Sequence, residues 1–393
     1  MNKKIYIISQ IFIENGGSFS GFVEDFAKYA SKLGYKVIIL AAREGKEQPL
    51  HELKDYAEIY RFPTRRGRLL ILVSTLPLIF KIRKFFKKNP PSKDDIIVAN
   101  GDAALTVWNK KYVLRAPDQP ARIFLKNMKV ANKEVSLFSR FARTIHFNIF
   151  YIVDHIITKK AAGIIYSSMA NKENFERYYH INKPYFSPNK CVKIDELKRN
   201  LDPKKRRILF VGKGSEKIRK GIIHLEKVLP DIFKEFGDVE LVHIGGDMEW
   251  NVPDWCKKRI ISIGRVSWSE MKKYYESCDL IVHCSLSEGI ASVLIEGMAS
   301  GIPTLSSDID GIYDYITHLK EGYVYKRGDV KELKEGISYM LKNPEISRKM
   351  GIEARSKIKA IEYKIYYKEL INFLERIFDN QKVESINLFD KKD

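Results

Sequence analysis

From residue 207 onward the chain alternates short apolar runs with amphipathic stretches, and no other feature restricts its fold as much. Runs at 208–212, 239–244, 260–263, 280–284, 303–306 and 322–325 read as strands. Stretches at about 220–236, 267–278, 291–300 and 329–342 between them carry apolar residues at helical spacing. Strand and helix in strict alternation imply parallel strands joined by right-handed crossovers, with ligands expected at the strands' carboxyl ends. The first half repeats the pattern more loosely, with strands expected at 4–9, 36–40, 95–99, 112–115 and 163–167. Between the first two, Phe22, Phe26, Ala30 and Leu33 make a helical stripe that Gly34 closes as a C-cap. The region 347–378 reads as helix behind an Asn343-Pro344 start, and the polar tail 380–393 shows no evident structure. A length of 393 residues is enough for two such domains.

Composition narrows the class. With 45% hydrophobic and 30% charged residues, the chain is that of a folded globular protein. Four cysteines without a Cys-x-x-Cys pair suit reduced thiols in a cytosolic setting. Asn2-Lys-Lys and the apolar residues after it imitate a leader, but Gln10 and Glu14 interrupt the run, and a buried strand is the simpler reading. The apolar run 69–80 is roughly a dozen residues, against about 20 for a span. Its flanks are basic: Arg61, Arg65, Arg66 and Arg68 on one side, Lys81, Arg83, Lys84, Lys87 and Lys88 on the other. With a net charge of +20, this 61–88 region suits peripheral contact with an anionic membrane, or is an amphipathic helix on the sheet with a basic outer face. No nucleic-acid motif is visible, so nucleic acid is not expected as a partner.

The chemistry concentrates in the stretch from Ser285 to Pro303. A strand ends there in a loop that opens a helix, with Glu288 in the loop and Glu296 about two turns on. The helix N-terminus favours a phosphate, and two carboxylates accept hydroxyls of a ribose and a second sugar. A nucleotide-sugar fits both. Upstream, Gly212-Lys213-Gly214 at a strand end and Lys220-Gly221 at a helix start supply cations for a departing diphosphate, or simply solvate the surface.

Ser285, Glu288, Gly289, Glu296, Met298, Ala299, Gly301 and Pro303 together resemble the signature of the retaining family-four glycosyltransferases, the glycosyl transferases group 1. The match is strong over 207–340 and weak over 4–40. The resemblance implies an α/β GT-B fold, two Rossmann-like doubly wound parallel-sheet domains facing a cleft. It divides the chain into an acceptor domain at 1–190, a linker at 191–206, a donor domain at 207–360 and a helix at 361–379 returning to the first domain. It assigns Lys213 and Lys220 to the phosphates, with Lys213 standing where arginine is usual. Gly16 and Gly17 would let backbone approach the phosphates, while Gly245, Arg265 and Val266 would read the base. Glu296 would hold the ribose, and Glu288 the transferred sugar with the amides of Gly289, Ile290, Ala291 and Ser292. Ala291 departs from the usual glycine.

Where many members place an acceptor-side histidine, this chain has Asp118, which contacts a sugar hydroxyl or only begins a turn. His146 and His155 read as packing residues on a helix. Asp308-Ile-Asp310 imitates a metal motif but reads as loop chemistry, so neither metal nor cofactor is expected beyond a UDP- or GDP-sugar donor. The implied function is retaining, metal-independent transfer to a lipid-linked or polysaccharide acceptor, in the cytoplasm at the inner membrane face. Two alternatives stay open: a nucleotide-sugar epimerase or hydrolase on a GT-B-like scaffold, and a non-catalytic basic protein binding nucleic acid or an acidic polymer.

Overall fold

The computed structural model describes residues 3–14, 18–64, 71–121, 123, 137–194, 201–202, 204–246 and 248–390. Gly16, Gly17, Arg65, Arg66 and Arg68 lie outside the described residues. The chain divides into two compact units, one ending at Lys190 and resuming at Lys364, the other running from Cys191 to Tyr363.

The first unit is built on β1 (Lys4–Ile11), β2 (Lys36–Arg43), β3 (His51–Leu53), β4 (Glu58–Pro63), β5 (Ile96–Asn100), β6 (Val113–Arg115), β7 (Gly163–Ile165) and β8 (Tyr185–Ser187). The second holds β9 (Arg206–Val211), β10 (Val239–Ile244), β11 (Ile260–Ile263), β12 (Leu280–His283), β13 (Thr304–Ser307) and β14 (Tyr323–Tyr325). A last strand, β15 (Ile386–Asn387), returns to the first sheet, whose order is β15-β8-β7-β6-β5-β1-β2-β4-β3. All its pairs are parallel except β3 with β4. Ile5, Tyr6, Ile7 and Ile8 of β1 are all buried, as a strand covered on both faces requires.

Helix Ser18–Lys32 buries Phe22, Phe26 and Ala30 and stops before Gly34, whose φ of +87° is the left-handed value of a helix end. Leu33 lies past the last turn and is exposed. Helix Ile71–Lys88 buries Leu78, Ile79, Ile82 and Phe86, and the Phe86 ring meets Tyr6 of β1 edge-on. Helix Tyr363–Phe378 packs on the first sheet, with Tyr366 and Phe373 against Phe186 of β8.

Two expectations need correction. Arg61 is no surface cation: it lies buried on β4, pairs with Glu52 at 2.7 Å and sits over the Phe12 ring. The cross-strand carboxylate of the β3–β4 hairpin compensates its burial, and no short apolar run announces that hairpin. The tail is not structureless either. Tyr185 N–H donates to Ser385 Oγ at 3.2 Å, Leu388 N–H to Ser187 O at 2.9 Å, and the Leu388 side chain is buried.

In the second unit every strand pair is parallel, in the order β11-β10-β9-β12-β13-β14. The chain moves outward from β9 to β10 and β11, then returns to build β12, β13 and β14 on the other side. The reversal leaves a topological switch point between β9 and β12, where loops diverge to opposite faces and open a crevice at the carboxyl ends. Phe210, Leu225, Leu229, Leu241, Val282 and Leu305 are among the residues of the core beneath it.

Candidate active site

The loops leaving β9 and β12 meet at that switch point, and the glycine between Lys220 and the helix Ile222–Glu235 makes their contact close. Gly221 adopts φ +67°, and a Cβ there would stand 1.8 Å from the Cys284 carbonyl oxygen. Hydrogen bonds lace the loops together, among them Leu286 N–H to Arg219 O at 2.8 Å and Cys284 Sγ–H to Lys220 O at 3.3 Å. Burial pushes the Cys284 thiol up to about 12, so it serves as a protonated donor rather than a nucleophile.

This lacing delivers consecutive cations to one carboxylate. Lys220 Nζ lies 2.5 Å and Arg219 Nη1 2.7 Å from Glu288 Oε1. On the other oxygen, His283 Nε2 is 2.7 Å away and Ser285 Oγ–H donates at 3.3 Å. Burial alone would raise the Glu288 carboxyl, but His283 and Lys220 outweigh it and hold the group well below the usual carboxylate range. Burial lowers His283 against the opposing pull of the Glu288 carboxylate, with Lys220 and Arg219 further disfavouring a cation, and Nε2–H donates to Glu288. Its Nδ1 lies 3.2 Å from Ser306 Oγ at the end of β13. Glu288 is therefore favoured as an ionised acceptor in a largely buried, positively charged setting.

Around this carboxylate, Gly289, Ile290 and Ala291 are buried, and Ala291 caps the helix Ser292–Ala299. Glu296 lies on that helix and accepts a 2.6 Å hydrogen bond at Oε2 from Tyr275. Tyr275 is a positioning residue in this geometry. On the expectation that Glu296 holds the ribose of a donor, Tyr275→Phe is expected to weaken donor affinity about tenfold or more with turnover nearly unchanged, since a lost hydrogen bond to a charged group is worth about 1.5–3 kcal/mol. Donor titration checks this, and a loss confined to turnover would contradict it.

On the other flank, Gly245 has φ +148°, and a Cβ there would come within 2.1 Å of the Gly212 oxygen, so the β10 loop sits directly on the β9 loop. That oxygen lies 2.8 Å from His243 Nε2, on a buried ring stacked with Phe210. Lys213 follows, exposed at the start of the turn Gly214–Glu216, and is not part of the Glu288 cluster. Arg265 is exposed and Val266 half-buried in the loop after β11.

Asp118 belongs to the first unit, on the loop after β6. Its backbone oxygen accepts from Asn171 Nδ2 at 2.8 Å, and its carboxylate acts on the buried Arg115 guanidinium. His155 sits 6.1 Å from the Tyr179 ring as a packing residue, while the His146 side chain lies outside the described residues. Asp308 and Asp310 are both taken by Arg327, at 3.0 and 2.8 Å. Among the described residues no cluster of metal-ligating side chains occurs.

Sequence reasoning missed Arg219, His283 and His243. Arg219 stood beside Lys220 and His283 closed the apolar run before Ser285. A polar residue ending a buried parallel strand was the available signal.

The comparisons agree with this architecture. Residues 193–357 match the family model described as glycosyl transferases group 1, and carry a domain of that type. An uncharacterized glycosyltransferase of Methanocaldococcus jannaschii is 31% identical over 126 residues, covering 30% of this chain and 32% of the relative. The chain thus matches only about a third of that relative's length. Sucrose-phosphate synthase from Thermosynechococcus elongatus superposes with a TM-score of 0.79 at 15% identity, covering 97% of this chain and 100% of that one. Anabaena HepE in complex with UDP-glucose gives 0.66 at 15% identity, covering 94% and 99%. The fold is GT-B, with two Rossmann-like domains.

Proposed function

We propose that the protein is a retaining, metal-independent glycosyltransferase of the family-four type. It moves a sugar from a UDP- or GDP-sugar to a lipid-linked or polysaccharide acceptor in cell-surface glycan synthesis. The observation that carries this reading is the ionised Glu288, held by Lys220, Arg219 and His283 where β9 and β12 part. An ionised acceptor in a low-dielectric pocket suits the hydroxyls of a hexose, and adjacent cations suit a leaving diphosphate. Similarity to HepE makes UDP-sugars the first donors to test.

In this reading Lys220, aided by Lys213 and the amide end of helix Ser292–Ala299, stabilises charge as the glycosidic bond breaks. Glu288 and the amides of Gly289 to Ser292 orient the sugar, Glu296 takes the ribose, and Gly245, Arg265 and Val266 contact the base. The departing phosphate oxygen accepts the proton of the incoming hydroxyl on the same face, which gives retention. The basic 61–88 region, without Arg61, brings the enzyme to an anionic membrane at its cytoplasmic side.

Thermal-shift measurements against UDP-, GDP-, ADP- and CMP-sugars test the reading, because a true donor raises the melting temperature by mass action. No shift with any of them would sink it. Transfer is expected to survive a chelator, whereas strict dependence on Mn²⁺ would return Asp308 and Asp310 to the chemistry.

A further inference from the structure

Two helices of the first unit show apolar side chains to solvent on the same side of the sheet. Helix Ile71–Lys88 crosses from β4 to β5 and helix Leu137–Lys160 from β6 to β7, the same direction along the strand order. Right-handed crossovers place both on one face, whereas helix Ser18–Lys32 runs the opposite way, from β1 to β2, and lies on the other. Both helices also pack against the same short turn, Gly101–Thr106, and Trp108 follows it directly.

On this side Leu76 is 50% exposed, Phe80 68%, Trp108 42%, Ile145 44% and Ile152 58%. These are not scattered. Leu76, Phe80, Arg83, Lys84 and Lys87 fall on one helical stripe, and Ile145, Ile152 and Lys159 on another. The guanidinium of Arg83 lies 5.7 Å from the Trp108 ring, tying the turn to the first stripe. No Asp or Glu occurs between Glu58 and Asp94, and the one acid of helix Leu137–Lys160, Asp154, is buried. Outward apolar residues with cations and no exposed acid on either helix complement an anionic bilayer surface. Among the described residues no helix is long and apolar enough to cross a membrane.

We infer that this face docks peripherally on anionic lipid. Leu76, Phe80, Trp108, Ile145 and Ile152 enter the interfacial layer, and Lys84, Lys87 and Lys159 meet the headgroups. The inference rests on the membrane contact proposed above and is independent of the donor chemistry.

Sedimentation of the full chain with vesicles tests it, comparing phosphatidylcholine alone with phosphatidylcholine plus phosphatidylglycerol. Binding is expected only to the anionic vesicles and is weakened by salt. The pairs Leu76→Ser with Phe80→Ser and Lys84→Glu with Lys87→Glu are each expected to lower partition about tenfold or more. Leu33→Ser, on the opposite face, is expected to change nothing. Equal binding to neutral vesicles, no binding at all, or equal loss from Leu33→Ser overturns the inference. So does a dimer that Phe80→Ser dissociates in the absence of lipid binding, because the face would then join two copies of the chain. Each variant is also tested by thermal shift with the donor. Lost vesicle binding with the shift retained shows a folded protein whose surface alone is altered. Vesicle binding without any nucleotide-sugar shift overturns the catalytic reading and leaves this one standing.

Discussion

Lys220→Ala is expected to lower turnover by about 10²-fold or more while leaving the protein folded. The ammonium shares Glu288 Oε1 with Arg219, and His283 and Ser285 hold the other oxygen. Removing Lys220 therefore does not strand a buried charge, which is what usually makes deletion of half an ion pair destabilising. On the proposed reading, what is lost is a fixed cation beside the place where diphosphate charge grows. Its contribution exceeds that of Lys213, because Lys220 is largely buried and Lys213 is exposed and screened by water. Steady-state turnover and a melting curve on one preparation check both halves. Wild-type turnover would remove Lys220 from the chemistry. A collapse in melting temperature would show that the cation supports the fold instead.

The second unit was legible because β9, β10 and β12 are largely buried, mostly apolar runs bounded by turns, so period and length both pointed to parallel sheet, even though β11 at the sheet edge is partly exposed. Helix Ile222–Glu235 starts two residues later than its apolar spacing suggests, since Gly221 takes a left-handed conformation that pattern reading does not register. The β3–β4 hairpin escaped notice because β3 is three residues long and β4 carries Arg61 inward. The two-residue β15 was hidden by a polar neighbourhood that masks Ile386 and Leu388.

At the site, Glu288, Glu296 and Lys220 stood out by spacing. Arg219 and His283 did not, because their roles depend on two loops more than sixty residues apart being laced into register (Leu286 to Arg219). Sequence shows which side chains are available; only the close approach of β9 and β12 decides which of them share a carboxylate.

That close approach is itself open to a substitution. Gly221→Ala is expected to destabilise the protein by about 2–4 kcal/mol and to abolish the donor-dependent thermal shift. Two costs add at this position. A left-handed φ of +67° penalises any side chain, and the new methyl would lie 1.8 Å from the Cys284 oxygen, a backbone atom that cannot rotate away. Gly34→Ala separates them, because Gly34 has φ +87° with nothing within 4 Å of its Cβ position. It is expected to show the conformational cost alone, about 1 kcal/mol. The excess at Gly221 then measures the steric term. Relief of that overlap must push the β9 loop off the β12 loop, stretching the Leu286–Arg219 and Cys284–Lys220 bonds and drawing Lys220 away from Glu288. If both alanine variants melted alike and both kept the donor shift, the packing of these loops could not be what assembles the site.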